Sequence, residues 1–180
     1  IGDVATMRSD RPLLVCDVDE VVLHLIAPFI DVLAERGYEL RQRSFKLTGN
    51  VFHVETGTEA SQGDVWAALA QLFEEQDERQ NLVDGALDAL NRMSDHIDVI
   101  YLTNLPHQYR DIRISHLGSS GLSHPVVSNT GSKAPAIRAL LNHRSGRAGF
   151  IDDTPKNLEQ VRDAEPDVAL FHFMADEGFR

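Results

Sequence analysis

The chain has 180 residues, an apolar content of 42%, a charged content of 25% and a net charge of −11 from 28 acidic and 17 basic residues. That size suits one α/β domain with a modest insertion. The acidic balance argues against a nucleic-acid backbone or an anionic membrane surface as partner, so any anionic substrate must be drawn in by a local positive charge.

The chain opens on Ile1 and reaches its first methionine at Met7, so residues 1–6 are read as an added or trimmed start, without a secretory pattern. "LLVC" (13–16) reads as a strand and runs into Asp17 and Asp19. Buried charges need compensation, so a strand ending on two carboxylates asks for a partner. Cys16 is the single cysteine. It cannot form an internal disulfide and is expected as a packed thiol, which fits a reducing cytoplasm. The longest apolar region, near 21–34, is broken by His24, Pro28 and Asp31, so no membrane span is expected.

Ile26, Phe29, Ile30 and Leu33 make one helix face that stops at Gly37. "YELRQRSFKL" and "TGNVFHV" predict a hairpin or an irregular loop. Ser61 to Asp64 resembles a capping box before a second helix through Val65, Trp66, Leu69, Leu72 and Phe73, with Trp66 expected in its core. "EEQDER" (74–79) reads as a solvated helix end. Residues 28–82 are thus expected to form a small cap inserted after the first strand, leaving 1–27 and 83–180 as the core domain.

Beyond the insertion, strands and helices alternate. "IDVIYL" (97–102), "PVV" (125–127), "AGFI" (148–151) and "DVALFHF" (167–173) are near-continuous in apolar residues, as in a parallel sheet covered on both faces. Helical period appears through Ala86, Leu87, Leu90 and Met93, around Tyr109, Ile112 and Leu117, and at Ile137, Leu140 and Leu141. A last helix follows Thr154-Pro155, an N-cap with proline at the first helical position. The alternation predicts a doubly wound, Rossmann-like parallel sheet.

Ligands of such sheets sit at the carboxyl ends of the strands. The residues placed there are Asp17 and Asp19, then Thr103 and Asn104, then Asp152 and Asp153, with Lys133 opening a helix on the same edge. A nucleophile, an acid/base, metal-ligating carboxylates, a hydroxyl and an ammonium converge. Only three lysines (Lys46, Lys133, Lys156) occur against fourteen arginines, which makes the position of Lys133 informative.

Four motifs in this order, "DVDEV" (17–21), "YLTN" (101–104), "GSK" (131–133) and "FIDD" (150–153), resemble the haloacid dehalogenase-like hydrolase superfamily, most of whose members are magnesium-dependent phosphatases. "LVDGALDALNRM" (82–93) is similar to the family's return from a cap. The resemblance implies that Asp17 attacks phosphorus and becomes an aspartyl phosphate. It implies that Asp19 protonates the leaving oxygen and then activates water. Asp17, the Asp19 carbonyl and Asp153 would ligate Mg²⁺, with Asp152 direct or through water. Thr103, Asn104 and backbone N–H groups would meet substrate, and Lys133 would neutralise developing charge.

The expected activity is therefore a Mg²⁺-dependent phosphomonoesterase acting on a small organic phosphate ester. A phosphotransferase or mutase would use the same residues. A phosphonatase would want a cap lysine, for which only Lys46 is at hand. A signalling receiver carries its acidic pair after the first strand rather than the last motif, and a non-catalytic phosphate-binding protein is the remaining alternative. His107, Arg110 and Lys156 are expected on helix surfaces, and no feature fixes an oligomeric state. Glu20 departs from the small residue, often glycine, that many relatives carry there; its bulk is expected to narrow the entrance or alter the adjacent turn.

Overall fold

Runs of Val, Ile, Leu and Phe become strands, and the amphipathic stretches between them become the helices that cover the sheet. The computed structural model describes residues 4, 10–41, 47–142 and 144–179; the expectations that concern Met7, Lys46 and the middle of the stretch 38–47 lie outside the described residues. In chain order the elements are β1 (Leu13–Cys16), α1 (Ile26–Glu35), β2 (Tyr38–Leu40), β3 (Val51–His53), α2 (Gln62–Glu74), α3 (Gln76–Arg79) and α4 (Ala86–Ser94). Then follow β4 (Asp98–Thr103), α5 (Arg110–Ser119), β5 (Val126–Ser128), α6 (Ala134–Leu141), β6 (Ala148–Asp152), α7 (Pro155–Ala164) and β7 (Ala169–His172). No helix among the described residues is long and apolar enough to cross a membrane.

The main sheet has the order β5-β4-β1-β6-β7, and every pairing in it is parallel. Alternation along β1 sends Leu13 and Val15 into one hydrophobic cluster with α6 and α7, and Leu14 and Cys16 into another with α4 and α5. The chain leaves β1 toward β4 on one side and β6 toward β7 on the other. The order therefore reverses between β1 and β6, and the crevice that this topology creates opens at their carboxyl ends.

One strand is less covered than its composition predicts. β7 is an edge strand with Phe171 51% exposed, although α7 packs against the same strand. The last helix also starts differently: Pro155 is placed as expected, but the Thr154 side chain makes no cap, and Asp152 accepts from the Thr154 amide instead.

The segment between β1 and α4 forms its own cluster. Phe29, Val32 and Leu33 of α1 pack on Val65, Ala68, Leu69 and Leu72 of α2, with Val51 of β3 and with Leu105, just past β4, as the contact to the core. β2 and β3 pair antiparallel, so the described part of the ambiguous stretch follows the hairpin alternative. The capping box at Ser61 and Asp64 forms reciprocally. Two expectations fail here. Ile30 is 41% exposed, since the buried face runs through Val32 instead, and Trp66 points outward at 54% exposure.

Glu20 takes a left-handed backbone conformation (φ 59°), a region glycine enters without cost. The structure corrects the expectation that its bulk narrows the entrance. The side chain turns inward, and Oε1 accepts from the amides of Leu25 and Ile26, each at 2.7 Å. Oε2 accepts from the Asp176 amide at 2.8 Å. Glu20 thus supplies the N-terminal cap that α1 lacks from its own N-cap residue, Leu25.

Candidate active site

Asp17 is the first residue beyond β1, at the switch point. Its carboxylate is buried; Oδ1 accepts from the Val18 amide and Oδ2 pairs with Lys133 Nζ, both at 2.7 Å. Lys133 stands immediately before α6, 1% exposed, and reaches Asp152 Oδ2 at 2.7 Å as well. Asp152 closes β6 with no exposed surface, and its Oδ1 accepts from the Thr154 amide and Asn157 Nδ2, each at 2.9 Å. Both of its oxygens are therefore committed. Asp153 is freer, accepting from Thr154 Oγ1 at 3.1 Å.

The electrostatics follow from crowding. Burial pushes the Asp17 carboxyl well up, Lys133 opposes that shift, and Asp152 and Asp153 add to it. Burial and the neighbouring Asp152 raise Asp153 to about 7. Burial works against the Lys133 ammonium, but Asp17 and Asp152 outweigh it and hold it charged. One ammonium faces three carboxylates whose oxygens lie within 4.8 Å of one another. Balancing those charges takes a further cation of charge about two, and an all-oxygen donor set suits Mg²⁺. The residues present thus fit the ion. Buried Cys16, its thiol pushed up by burial and by Asp17, donates to the Asp17 carbonyl.

Asp19 has partners of its own. Its Oδ1 accepts from Arg113 Nη1 and Gln80 Nε2, each at 3.0 Å, and Oδ2 accepts from Thr103 Oγ1 at 3.3 Å. Arg113 is fully buried and also donates to Gln76 and to Gln80 Oε1. Gln76 has no exposed surface, so the stretch read as a solvated helix end contains a buried anchor.

Of the sequence-predicted residues, Asp17, Asp19, Asn104, Lys133 and Asp153 line one cleft of about 210 Å³, and Asp152 lies directly behind Lys133. Thr103 is buried behind Asp19 rather than lining that cleft. Asn104 is held by the Gly131 carbonyl and by Asn129 Nδ2. His107 contacts Ser128, Arg110 donates to the Val126 carbonyl, and Lys156 is exposed. Sequence reasoning missed Arg113, Gln80, Gln76 and Asn157. A signal existed for Arg113: it shares one face of α5 with buried His116 and Leu117, and a charge on an apolar helix face needs a partner.

No family model matches the sequence, and no curated protein matches it. Solved structures do match. A haloacid dehalogenase-like hydrolase from Streptococcus pneumoniae superposes with TM-score 0.63 at 13% identity, over 96% of this chain and 90% of that one. A haloacid dehalogenase family hydrolase from Deinococcus radiodurans, with bound phosphate and sodium, gives 0.57 at 16%, over 93% and 84%. A family member from Xanthomonas campestris gives 0.53 at 12%, over 90% of each chain. What such identities establish is the fold, and the chain has that of the haloacid dehalogenase-like hydrolases.

Proposed function

We propose that the protein is a Mg²⁺-dependent phosphomonoesterase that hydrolyses a small organic phosphate ester through an aspartyl phosphate on Asp17. The observation that carries this reading is buried Lys133 bridging Asp17 and Asp152 at 2.7 Å beside Asp153, at the crevice of the sheet. Burial pushes the Asp17 carboxyl up even beside Lys133, and a bound Mg²⁺ would supply the further positive charge that keeps it an anion able to attack phosphorus. The phosphate and sodium bound in the Deinococcus radiodurans structure support an oxyanion and a cation on this fold.

Asp17, Asp153 and the Asp19 carbonyl would hold Mg²⁺, which when bound neutralises phosphoryl charge as a Lewis acid. Lys133 keeps Asp17 oriented and meets the charge of the phosphoryl group. Asp152, through Thr154 and Asn157, keeps Lys133 in place. Asp19 is locked by Arg113, Gln80 and Thr103 near the leaving oxygen, where it gives that oxygen a proton and later takes one from the attacking water.

The test is a panel of phosphate esters assayed with Mg²⁺ and with excess chelator. Hydrolysis that requires Mg²⁺ is expected. Full activity in chelator overturns the metal assignment, and no turnover of any ester, or transfer to an added alcohol in place of release, overturns the phosphatase.

A further inference from the structure

Sequence reasoning expects Trp66 inside the cap, yet the indole is 54% exposed while Val65, Ala68 and Leu72 around it on α2 are buried. It stands at the cleft that holds Asp17, Lys133 and Asp153. Leu47, Leu69 and Phe73 line the same roof, with Leu25 just before α1 beside them, so every residue that segment 28–82 contributes to the cleft, among the described residues, is apolar. The polar side chains on the opposite wall are already engaged. Asn104 is held by Gly131 and Asn129, Thr154 by Asp153, and Asn157 by Asp152.

A polyhydroxylic leaving group entering here would lose its water and meet carbon. An apolar one would cover an indole that otherwise stays wet. On the phosphatase reading above, we infer that the cleft selects phosphate esters whose leaving alcohol carries a flat apolar group, and that Trp66 is the specificity-determining residue against which that group lies. Aromatic pairs favour offset or edge-on contact and gain beyond their buried area, which suits one exposed indole over a narrow cleft.

The experiment compares benzyl phosphate with ethyl phosphate, whose leaving alcohols are of similar basicity, so that the ratio of their kcat/KM values reads contact rather than chemistry. Covering one ring should favour the benzyl ester by about tenfold to a hundredfold, expressed in KM. Trp66→Ala should bring the ratio toward one, and Trp66→Phe should keep most of it. An unchanged ratio in Trp66→Ala, or a ratio near one in the unsubstituted enzyme, overturns the inference while leaving the phosphatase standing.

A binding arm needs no turnover. Trp66 is the single tryptophan of the chain, so its fluorescence reports this position alone. Benzylphosphonate should change that fluorescence and saturate at a concentration at least about tenfold lower than methylphosphonate needs. If neither ester is hydrolysed and this difference persists, the phosphatase fails and the apolar site stands. If benzylphosphonate binds no tighter than methylphosphonate, the apolar site fails.

Discussion

At the sheet edge the site is built from side chains in ion pairs and hydrogen bonds, whereas the segment above it lines the cleft with the apolar side chains of Leu47, Trp66, Leu69 and Phe73. Lys133 touches two carboxylates at 2.7 Å, and Asp19 accepts three hydrogen bonds. Trp66 and Leu47 enter the same cleft as apolar side chains. The two walls therefore respond to change by different physics. Removing one member of a buried charged set strands the others in low dielectric, at a cost of about 3–5 kcal/mol. Trimming the roof loses only contact area, at roughly 25 cal/mol per Å². On the proposed reading, the edge carries the chemistry and the roof sets what is bound.

The largest break of the edge is Asp17→Asn. The amide is a poor nucleophile and gives Lys133 a neutral neighbour, so turnover should fall by about 10⁴-fold or more. Single-turnover assays with Mg²⁺ should show no acid-trappable phosphate on the protein. Label on another residue would move the nucleophile elsewhere.

Asp19→Ala should be milder and should stall in a characteristic place. With an activated ester such as 4-nitrophenyl phosphate the leaving group needs little protonation, so Asp17 can still be phosphorylated. Without a base for water, the second half should slow by about 10²–10⁴-fold. Rapid mixing should give a burst near one product per site followed by very slow release. Linear product at the unsubstituted rate would remove Asp19 from the chemistry.

Arg113 sharpens the comparison, because it belongs to the edge by chemistry while its partners Gln76 and Gln80 come from the end of the insertion. Arg113→Met should lower kcat by about tenfold with KM nearly unchanged, a smaller loss than removing Asp19 itself. Its stability cost should be about 3–5 kcal/mol, read by urea denaturation. Arg113→Lys should recover part of kcat. Gln80→Leu keeps the ion pair and tests the same carboxylate through its second donor. Unchanged kcat in both Arg113→Met and Gln80→Leu would reduce Arg113 to a packing residue.

What was legible in the chain divides along the same line. Asp17, Thr103, Lys133 and Asp152 are readable because each stands at the end of an apolar strand or the start of a helix, where local pattern fixes position. Glu20 is half readable. Its place invites a glycine, but the amides that its carboxylate caps include that of Asp176, 156 residues away. The bonds from Gln80 and Arg113 to Asp19 span 61 and 94 residues. Such pairings depend on how the insertion returns to the core, which no periodicity records. Trp66 deceives for a related reason: its spacing suits the buried face of α2, but α1 and the hairpin cover the other side of that helix. Exposure is a property of neighbours.

The smallest expected effect tests whether the edge is held against its own charge. The Asp153 carboxyl rises from 3.8 to about 7 on folding, through burial and then Asp152. Between those values the folded chain keeps a proton that the unfolded chain has lost, so this contribution to stability falls as pH rises through the window. Glu35 and Asp64 move down instead, through Arg79 and Ser61 respectively, and their contributions are already complete above about pH 5. Burial lowers His116 and His124, which favours folding as pH rises toward 7 and opposes the Asp153 effect. The informative quantity is therefore the Tm of the protein minus that of Asp153→Asn, measured without metal at pH 5 and pH 7. That difference should shrink or turn negative by several degrees on going to pH 7. Added Mg²⁺ should restore it, and more at pH 7 than at pH 5, because protons no longer compete for the carboxylates. A difference that does not change with pH, together with no response to Mg²⁺, would mean that Asp153 is neither crowded nor a ligand.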